Sequence, residues 1–195
     1  LIMSLSACNN LGLLDKLENP GGGATSSSSK ISTLFLFGTT NTLNGNIRGG
    51  MANARDAADA QCMTTRSTMT FPDNGCTQVR AVLSLTAADS IANMPLNYGI
   101  PIDRSINGPN NFVIASNWGV LVAGTSGNSI SNGNVMAPAT SWWSFSTLGG
   151  NFDNTNNCSG GTIGTSVNGV TGDSSTAGNT WLAGTSVVCS TPSKL

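Results

Sequence analysis

The feature that most constrains the fold is the chain after Gly124, where Gly, Ser, Thr and Asn fill most positions. Ordering so glycine-rich a segment costs about 1–2 kcal/mol of backbone entropy per residue. Its apolar residues are too few to offset that cost alone. The residues that can fix this third of the chain in place include three tryptophans and two cysteines: Trp142, Trp143, Trp181, Cys158 and Cys189. We therefore expect long polar loops held by a few aromatic rings and a disulfide.

The preceding part of the chain carries the regular elements. Apolar and β-branched runs predict strands, and apolar residues at three- and four-residue spacing predict a helix. The predicted strands are Ile31–Phe37 and Val79–Leu85, and the predicted helices are Gly50–Arg66 and Ala87–Asn93, the second capped by Thr86 and stopped by Pro95. Ser116–Ala123 is apolar but fits either type. This mixture predicts an α+β domain that begins at Ile31.

Charge is scarce, and this excludes several classes of function. Charged residues make up 9% of the chain, the net charge is -1, and there is no histidine. Such a surface does not attract nucleic acid, whose binding depends on lysines and arginines that neutralise phosphates. Without histidine, the Ser-His and Cys-His nucleophile pairs are also unavailable. We therefore expect no enzyme, no cofactor and no nucleic-acid partner.

The beginning of the chain resembles the end of an export signal. Residues 1–7 are apolar and finish in small residues, and Leu5-Ser6-Ala7-Cys8 resembles a bacterial lipobox, whose cysteine becomes the lipidated first residue. We interpret residues 1–7 as the end of a signal peptide, Cys8 as the lipidation site and residues 8–30 as a flexible Gly- and Ser-rich tether. The alternative is a chance cysteine in a frayed terminus.

Four further cysteines fit an exported protein. Cys62, Cys76, Cys158 and Cys189 are even in number, and an oxidising compartment favours disulfides between them. Zinc binding is the competing interpretation. It is weak because the chain has neither histidine nor a Cys-x-x-Cys pair.

A family resemblance becomes visible when these segments are taken in order. Ile47–Gly50, Ala57–Cys62 and Val79–Ser84 resemble the opening of endostatin, and Ser141–Trp143 and Trp181-Leu182 resemble its terminal half. The order of features is closer still to the leptospiral endostatin-like proteins, which are spirochaetal outer-membrane lipoproteins. The resemblance covers residues 31–195. It implies a C-type-lectin-like domain with two short helices, a small, mostly antiparallel sheet and long polar loops.

The resemblance also bears on the disulfides. The family ends in one more strand with a last cysteine, and this chain stops at Leu195, where that strand should start, so we expect a C-terminal truncation. In the family, that last cysteine pairs with the helix cysteine that Cys62 matches. Cys76 is then the available partner for Cys62. We expect Cys158 to bond Cys189, because closing the glycine-rich segment between them removes about 3–4 kcal/mol of unfolded-state freedom.

The function implied by the resemblance is adhesion. A lipid-anchored protein of the outer membrane, exposed at the cell surface, would bind host extracellular-matrix or plasma proteins of the laminin, fibronectin, plasminogen and factor H class. The alternative is a structural cell-envelope lipoprotein without a host ligand, and a carbohydrate-active enzyme is a remote third possibility.

Calcium-dependent sugar binding is not expected on this scaffold. C-type lectins use a Glu-Pro-Asn or Gln-Pro-Asp loop, whereas this chain has Gly108–Asn111, and Trp118 is followed by Gly119. Carboxylates for calcium are few, with Asp153 and Asp173 alone in the last third. We therefore expect no metal site.

The remaining candidate residues have structural interpretations. We expect Trp142, Trp143 and Trp181 to be core residues, since single tryptophans mostly bury their rings. Asp56 and Asp59, three apart on one helix, are expected to lie on a solvated face rather than to act as an acid–base pair. The arginines of the first half alternate with aspartates and are expected to form a solvated mixed surface; they are Arg48, Arg55, Arg66, Arg80 and Arg104.

Overall fold

Two five-stranded sheets and four short helices make up the described part of this computed structural model, which comprises residues 33–70, 78–194 and the backbone of 3–7. The strands are β1 (Met3–Ala7), β2 (Thr33–Gly38), β3 (Thr42–Leu43), β4 (Gln78–Val82), β5 (Ser105–Asn107), β6 (Val113–Ala115), β7 (Ser141–Trp143), β8 (Asn168–Asp173), β9 (Thr185–Val188) and β10 (Ser193–Lys194). The helices are α1 (Ala54–Thr68), α2 (Met94–Tyr98), α3 (Trp118–Ala123) and α4 (Cys158–Gly161). The α+β expectation is confirmed.

The first sheet has the order β4-β1-β2-β5-β6 and is antiparallel except between β2 and β5. Its strand β2 is buried on both faces. Leu34 and Leu36 belong to one hydrophobic core, and Phe35 and Phe37 belong to a second core on the opposite face. This double burial explains why the segment is a continuous apolar run instead of an alternating one.

The second sheet has the order β3-β10-β7-β8-β9, with β10 and β7 parallel. Successive residues of a strand face opposite sides, so the two tryptophans of β7 enter different cores. Trp142 stacks on Trp181 with ring centroids 5.6 Å apart, and Trp143 lies 5.5 Å from Phe145. The rings of Trp142, Trp143 and Trp181 are buried, as expected.

The helix predicted over Gly50–Arg66 is present but begins later. Its N-cap is Asn53, whose side chain accepts a hydrogen bond from the backbone N–H of Asp56 at 2.8 Å. The cap residue has extended backbone angles, which excludes residues 50–53 from the helix. At the other end the helix continues to Thr68.

The prediction of a helix over Ala87–Asn93 is wrong. Thr86 does accept a hydrogen bond from the N–H of Asp89 at 2.9 Å, but residues 85–89 form bends rather than a helix. A 3-10 turn follows at Ile91–Asn93, and α2 begins at Met94. Pro95 lies in the first turn of α2, where its missing N–H costs nothing, so it starts this helix instead of ending one.

The structure defines two further segments more closely than the sequence did. The strand predicted over Val79–Leu85 is β4, which ends at Val82. The segment Ser116–Ala123, whose type the sequence left open, contains helix α3. The side chain of Asn117 accepts a hydrogen bond from the N–H of Val120 at 2.9 Å, and Gly124 ends the helix in the left-handed conformation.

The architecture is larger than the resemblance implies. The described residues form two sheets instead of one small sheet, and four helices instead of two. Polar strands of two to six residues, which carry little apolar patterning, build much of the second sheet. The backbone of Met3–Ala7, interpreted as the end of a signal peptide, is strand β1 between β2 and β4. Cys8, the tether to residue 30 and Cys76 lie outside the described residues, so their roles stay predictions.

Candidate functional site

An open groove runs between the start of α1, the bend at residues 85–89 and the segment around α4. Its volume is about 740 Å³. Most of its exposed wall is apolar, and amide and hydroxyl groups, an exposed arginine and the carboxylate of Asp56 add polar positions. The lining residues used below are Arg48, Asn53, Thr86, Phe152, Ser159 and Gly160.

A partly buried ion pair fixes the first wall of the groove. The guanidinium of Arg55 donates from Nε and Nη2 to the two carboxylate oxygens of Asp89, both at 2.9 Å. This two-bond geometry holds the bend at residues 85–89 against α1. The side chains are only 12% and 22% exposed. The expectation of a solvated arginine surface is therefore wrong for Arg55, whose other donors are used within the fold.

Those other donors, with Asp59, cover the outer edge of β4. Arg55 Nη1 donates to the carbonyl of Ala81 at 2.7 Å, and Nη2 donates to that of Leu83 at 2.9 Å. Asp59 accepts from the N–H of Ala81 at 2.8 Å and from Nη1 of Arg80 at 2.7 Å. The carboxylate of Asp59 thus binds a strand edge, and the prediction that it lies on a solvated face is wrong.

Tyr98, at the end of α2, completes this network. Its hydroxyl donates to Oδ1 of Asp89 at 2.8 Å, and its ring centroid lies 5.4 Å from the guanidinium carbon of Arg55 and 5.0 Å from that of Arg80. Burial raises the pKa of Tyr98 to about 12; the hydrogen bond to Asp89 raises the pKa too, and the positive charge of Arg55 lowers it. The phenol is therefore a neutral donor at physiological pH and not a base.

The second wall is a left-handed turn. All four residues of α4 have positive φ, from 51° at Cys158 and 53° at Ser159 to 65° and 73° at Gly160 and Gly161. The turn is closed by the N–H of Gly161, which donates to the carbonyl of Asn157 at 3.1 Å. For residues other than glycine this conformation costs about 1–2 kcal/mol each, so the surrounding structure must hold it in place.

Three contacts hold the turn. Asn157 Oδ1 accepts from the N–H of Gly160 at 2.9 Å. Cys158 is bonded to Cys189, with Cα atoms 5.8 Å apart, which confirms that pairing. Gly160 packs so closely on the bend that a Cβ there would lie 2.8 Å from the carbonyl oxygen of Leu85. Strained backbone of this kind concentrates at functional sites, and here Ser159 and Gly160 face the groove.

Among the other sequence-predicted residues, Asp56 lines this groove, whereas Cys62 and Arg104 do not. Cys62 is buried in α1, within the second core. Arg104 pairs with its neighbour Asp103, with Nε 3.4 Å from Oδ1. Asp56, which lines the groove, accepts from the side-chain amide of Asn53 at 2.6 Å. Asp56 and Asp59 therefore have different partners and do not form an acid–base pair.

The aspartates considered for calcium close turns. Asp153 Oδ1 accepts from the N–H groups of Thr155 and Asn156 at 2.8 and 2.7 Å, and Asp173 Oδ1 accepts from that of Ser175 at 2.8 Å. Among residues 33–70 and 78–194, no three His, Cys, Asp or Glu side chains come together as a metal site would require. No helix among the described residues is long and apolar enough to cross a membrane.

Sequence reasoning missed the groove, because its parts come from three distant segments. One local signal exists, since the Gly160-Gly161 pair after Asn157 suggests left-handed backbone.

No protein-family model and no curated protein matches this chain.

Proposed function

We propose that this chain is a lipoprotein adhesin of the outer membrane, anchored through Cys8 and carrying a C-type-lectin-like, endostatin-like domain. Its partners are host extracellular-matrix or complement-regulating proteins, and the groove is the binding surface. The observation that carries the proposal is the groove itself, whose walls are fixed by the Arg55–Asp89 pair and the left-handed turn. Because these walls are already ordered before binding, less conformational entropy is lost when a ligand binds.

The chemistry of the groove favours a protein ligand. Neutral hydrogen-bonding groups such as Asn53, Thr86 and Ser159 suit peptide groups, and the ring of Phe152 supplies apolar contact. Arg55 and Asp89 neutralise each other. Arg48 is exposed at the rim and gives the groove a cation for recognition.

A binding panel tests the proposal. The purified protein is titrated against immobilised laminin, fibronectin, plasminogen and factor H, with calcium and with chelator. We expect saturable, calcium-independent binding to at least one of them. Arg48→Glu should weaken that binding at least tenfold, whereas Arg104→Glu, which reverses a charge outside the groove, should leave it within twofold. Failure to bind any of the four favours a structural cell-envelope role.

The anchor requires a separate measurement. Mass spectrometry of the protein from its native membrane should find acyl chains on Cys8 as the first residue. Several chains are expected, since a single one holds a membrane weakly. An unmodified Cys8 or a different mature start would remove the anchor from the proposal.

A further inference from the structure

Strand β1 lies between strands β2 and β4 and pairs with both. It is antiparallel to both β2 and β4 over its full length, from Met3 to Ala7. At its centre, Leu5 is paired with Leu36 on one side and with Arg80 on the other. Removing this segment would leave two strands of the sheet with a strand-wide space between them.

Both faces of that space are covered. In β2, Leu36 belongs to the first hydrophobic core and Phe37 to the second, and neither is exposed to solvent. In β4, Val82 belongs to the first core, and Val79 and Ala81 belong to the second. Beside these residues a strand in this space is shielded from water on both faces, so it must be uncharged there. Farther along β4, the side chain of Arg80 is 43% exposed.

The outer edge of β4 is closed, and this directs its remaining hydrogen-bonding groups toward the space. The N–H and the C=O of Ala81 are bound by Asp59 and Arg55. In an antiparallel strand the two groups of one residue point the same way and those of its neighbours point the opposite way. Arg80 and Val82 therefore direct their N–H and C=O groups toward β1.

The edge of β2 that faces away from β1 is also paired with a strand. Its residues Thr33 to Phe35 pair with β5 in parallel register. Buried N–H and C=O groups without partners are strongly unfavourable. The two inner edges of β2 and β4 therefore require a strand where Leu36, Phe37, Ala81 and Val82 are buried, because water cannot reach both edges there.

We infer that the space between β2 and β4 is a peptide-binding slot for an extended, uncharged strand, and that Met3–Ala7 is a detachable occupant of it. The inference rests on the proposed function in one respect, because cleavage before Cys8 would remove this occupant. Strand β1 and a lipidated Cys8 then exclude each other within one continuous chain. Peptide recognition in the slot is strand addition with hydrogen bonds on both sides.

The test uses the full chain with a specific protease site inserted in the Gly- and Ser-rich segment 21–29. After folding, the chain is cut, and the N-terminal fragment is separated from the remaining domain by gel filtration in mild denaturant. The emptied domain is then returned to buffer and incubated with a fluorescent synthetic peptide of residues 1–8 that carries Cys8→Ser. Fluorescence anisotropy should show saturable uptake of one labelled peptide per domain, and unlabelled peptide should displace it. Amide exchange in β2 and β4 should slow at least tenfold as the slot fills.

The matched control is the same peptide with Leu5→Pro. Proline cannot donate the strand hydrogen bond, so its binding should be at least tenfold weaker. Equal binding of both peptides, dimerisation of the cut protein in place of peptide uptake, or β2 and β4 amides equally protected with and without peptide would each overturn the inference. Lipidation is read independently: an unmodified Cys8 ends the proposed anchor but not the slot, whereas absent peptide uptake ends the slot but not the anchor.

Discussion

Arg55 and Asp89 are 34 positions apart and joined by two parallel hydrogen bonds of 2.9 Å. The same guanidinium reaches two carbonyls at the edge of β4, and the same carboxylate accepts from Tyr98. One pair therefore ties α1, β4, α2 and the bend of the groove wall together. Removing either charge should therefore lower the stability of the fold and loosen the groove wall.

The first prediction concerns Asp89→Asn. The amide keeps the shape of the side chain but leaves the guanidinium of Arg55 without its counter-charge in a partly buried place. We expect a loss of about 2–3 kcal/mol in the free energy of unfolding, measured by urea denaturation. Asp103→Asn removes an exposed carboxylate and should cost under about 1 kcal/mol. Equal losses for the two variants would contradict the structural role given to Asp89.

The second prediction concerns Tyr98, the only tyrosine of the chain. Absorbance titration should therefore report this phenol alone, with a pKa of about 12 in the folded protein against 10.0 for the free side chain. Because the folded value is raised, its contribution to stability is complete below pH 10 and is lost as the pH rises toward 12. A folded-state pKa near 10 would show that burial and the bond to Asp89 do not hold the proton.

Unfolding measured at pH 9 and pH 11 checks the same linkage. The native chain should lose more stability over this interval than Tyr98→Phe, which has no proton to release. If both lose the same amount, other groups account for the alkaline loss.

Local elements could be predicted from the sequence, and long-range pairings could not. Helix α1 was predictable because Ala54, Ala58 and Cys62 recur at helical spacing and are all buried. Strand β2 was predictable from its apolar composition. The wrong helix at residues 87–93 shows how Pro95 can start a helix as well as end one.

The groove was less accessible to sequence reasoning. Nothing near Arg55 in the sequence indicates Asp89 as its partner, so Arg55 was expected to lie on a solvated surface. The pair Gly160-Gly161 suggests positive φ, but the same conformation at Cys158 and Ser159 is imposed by the disulfide and by the packing around it. Such strain is a tertiary property and leaves no local pattern.

The third prediction concerns Gly160→Ala. The new Cβ would lie 2.8 Å from the carbonyl oxygen of Leu85, at a backbone φ of 65°. Overlap and strain together should cost about 2–3 kcal/mol of stability and widen the groove. Gly178→Ala is the matched control, since no atom lies within 4 Å of its Cβ position and its φ is -92°; thermal unfolding should show it near neutral. Two equally stable variants would refute the close contact at Gly160.

The last prediction concerns the bond between Cys158 and Cys189. Its two cysteines are 31 positions apart, and in the chain-entropy model closing such a loop stabilises the fold by about 3–4 kcal/mol. The bond also lies against Gly45 and Gly169, where added Cβ atoms would overlap the sulfur of Cys158. Cys189→Ser should therefore loosen the left-handed turn, β8 and β9 first, because these elements surround the bond and contain few large apolar side chains. Amide exchange should rise in those segments while α1, which packs its buried alanines in the second core, stays protected. If α1 loses protection to the same degree as β8 and β9, the two regions unfold as one unit, and the disulfide stabilises the whole fold instead of the groove wall.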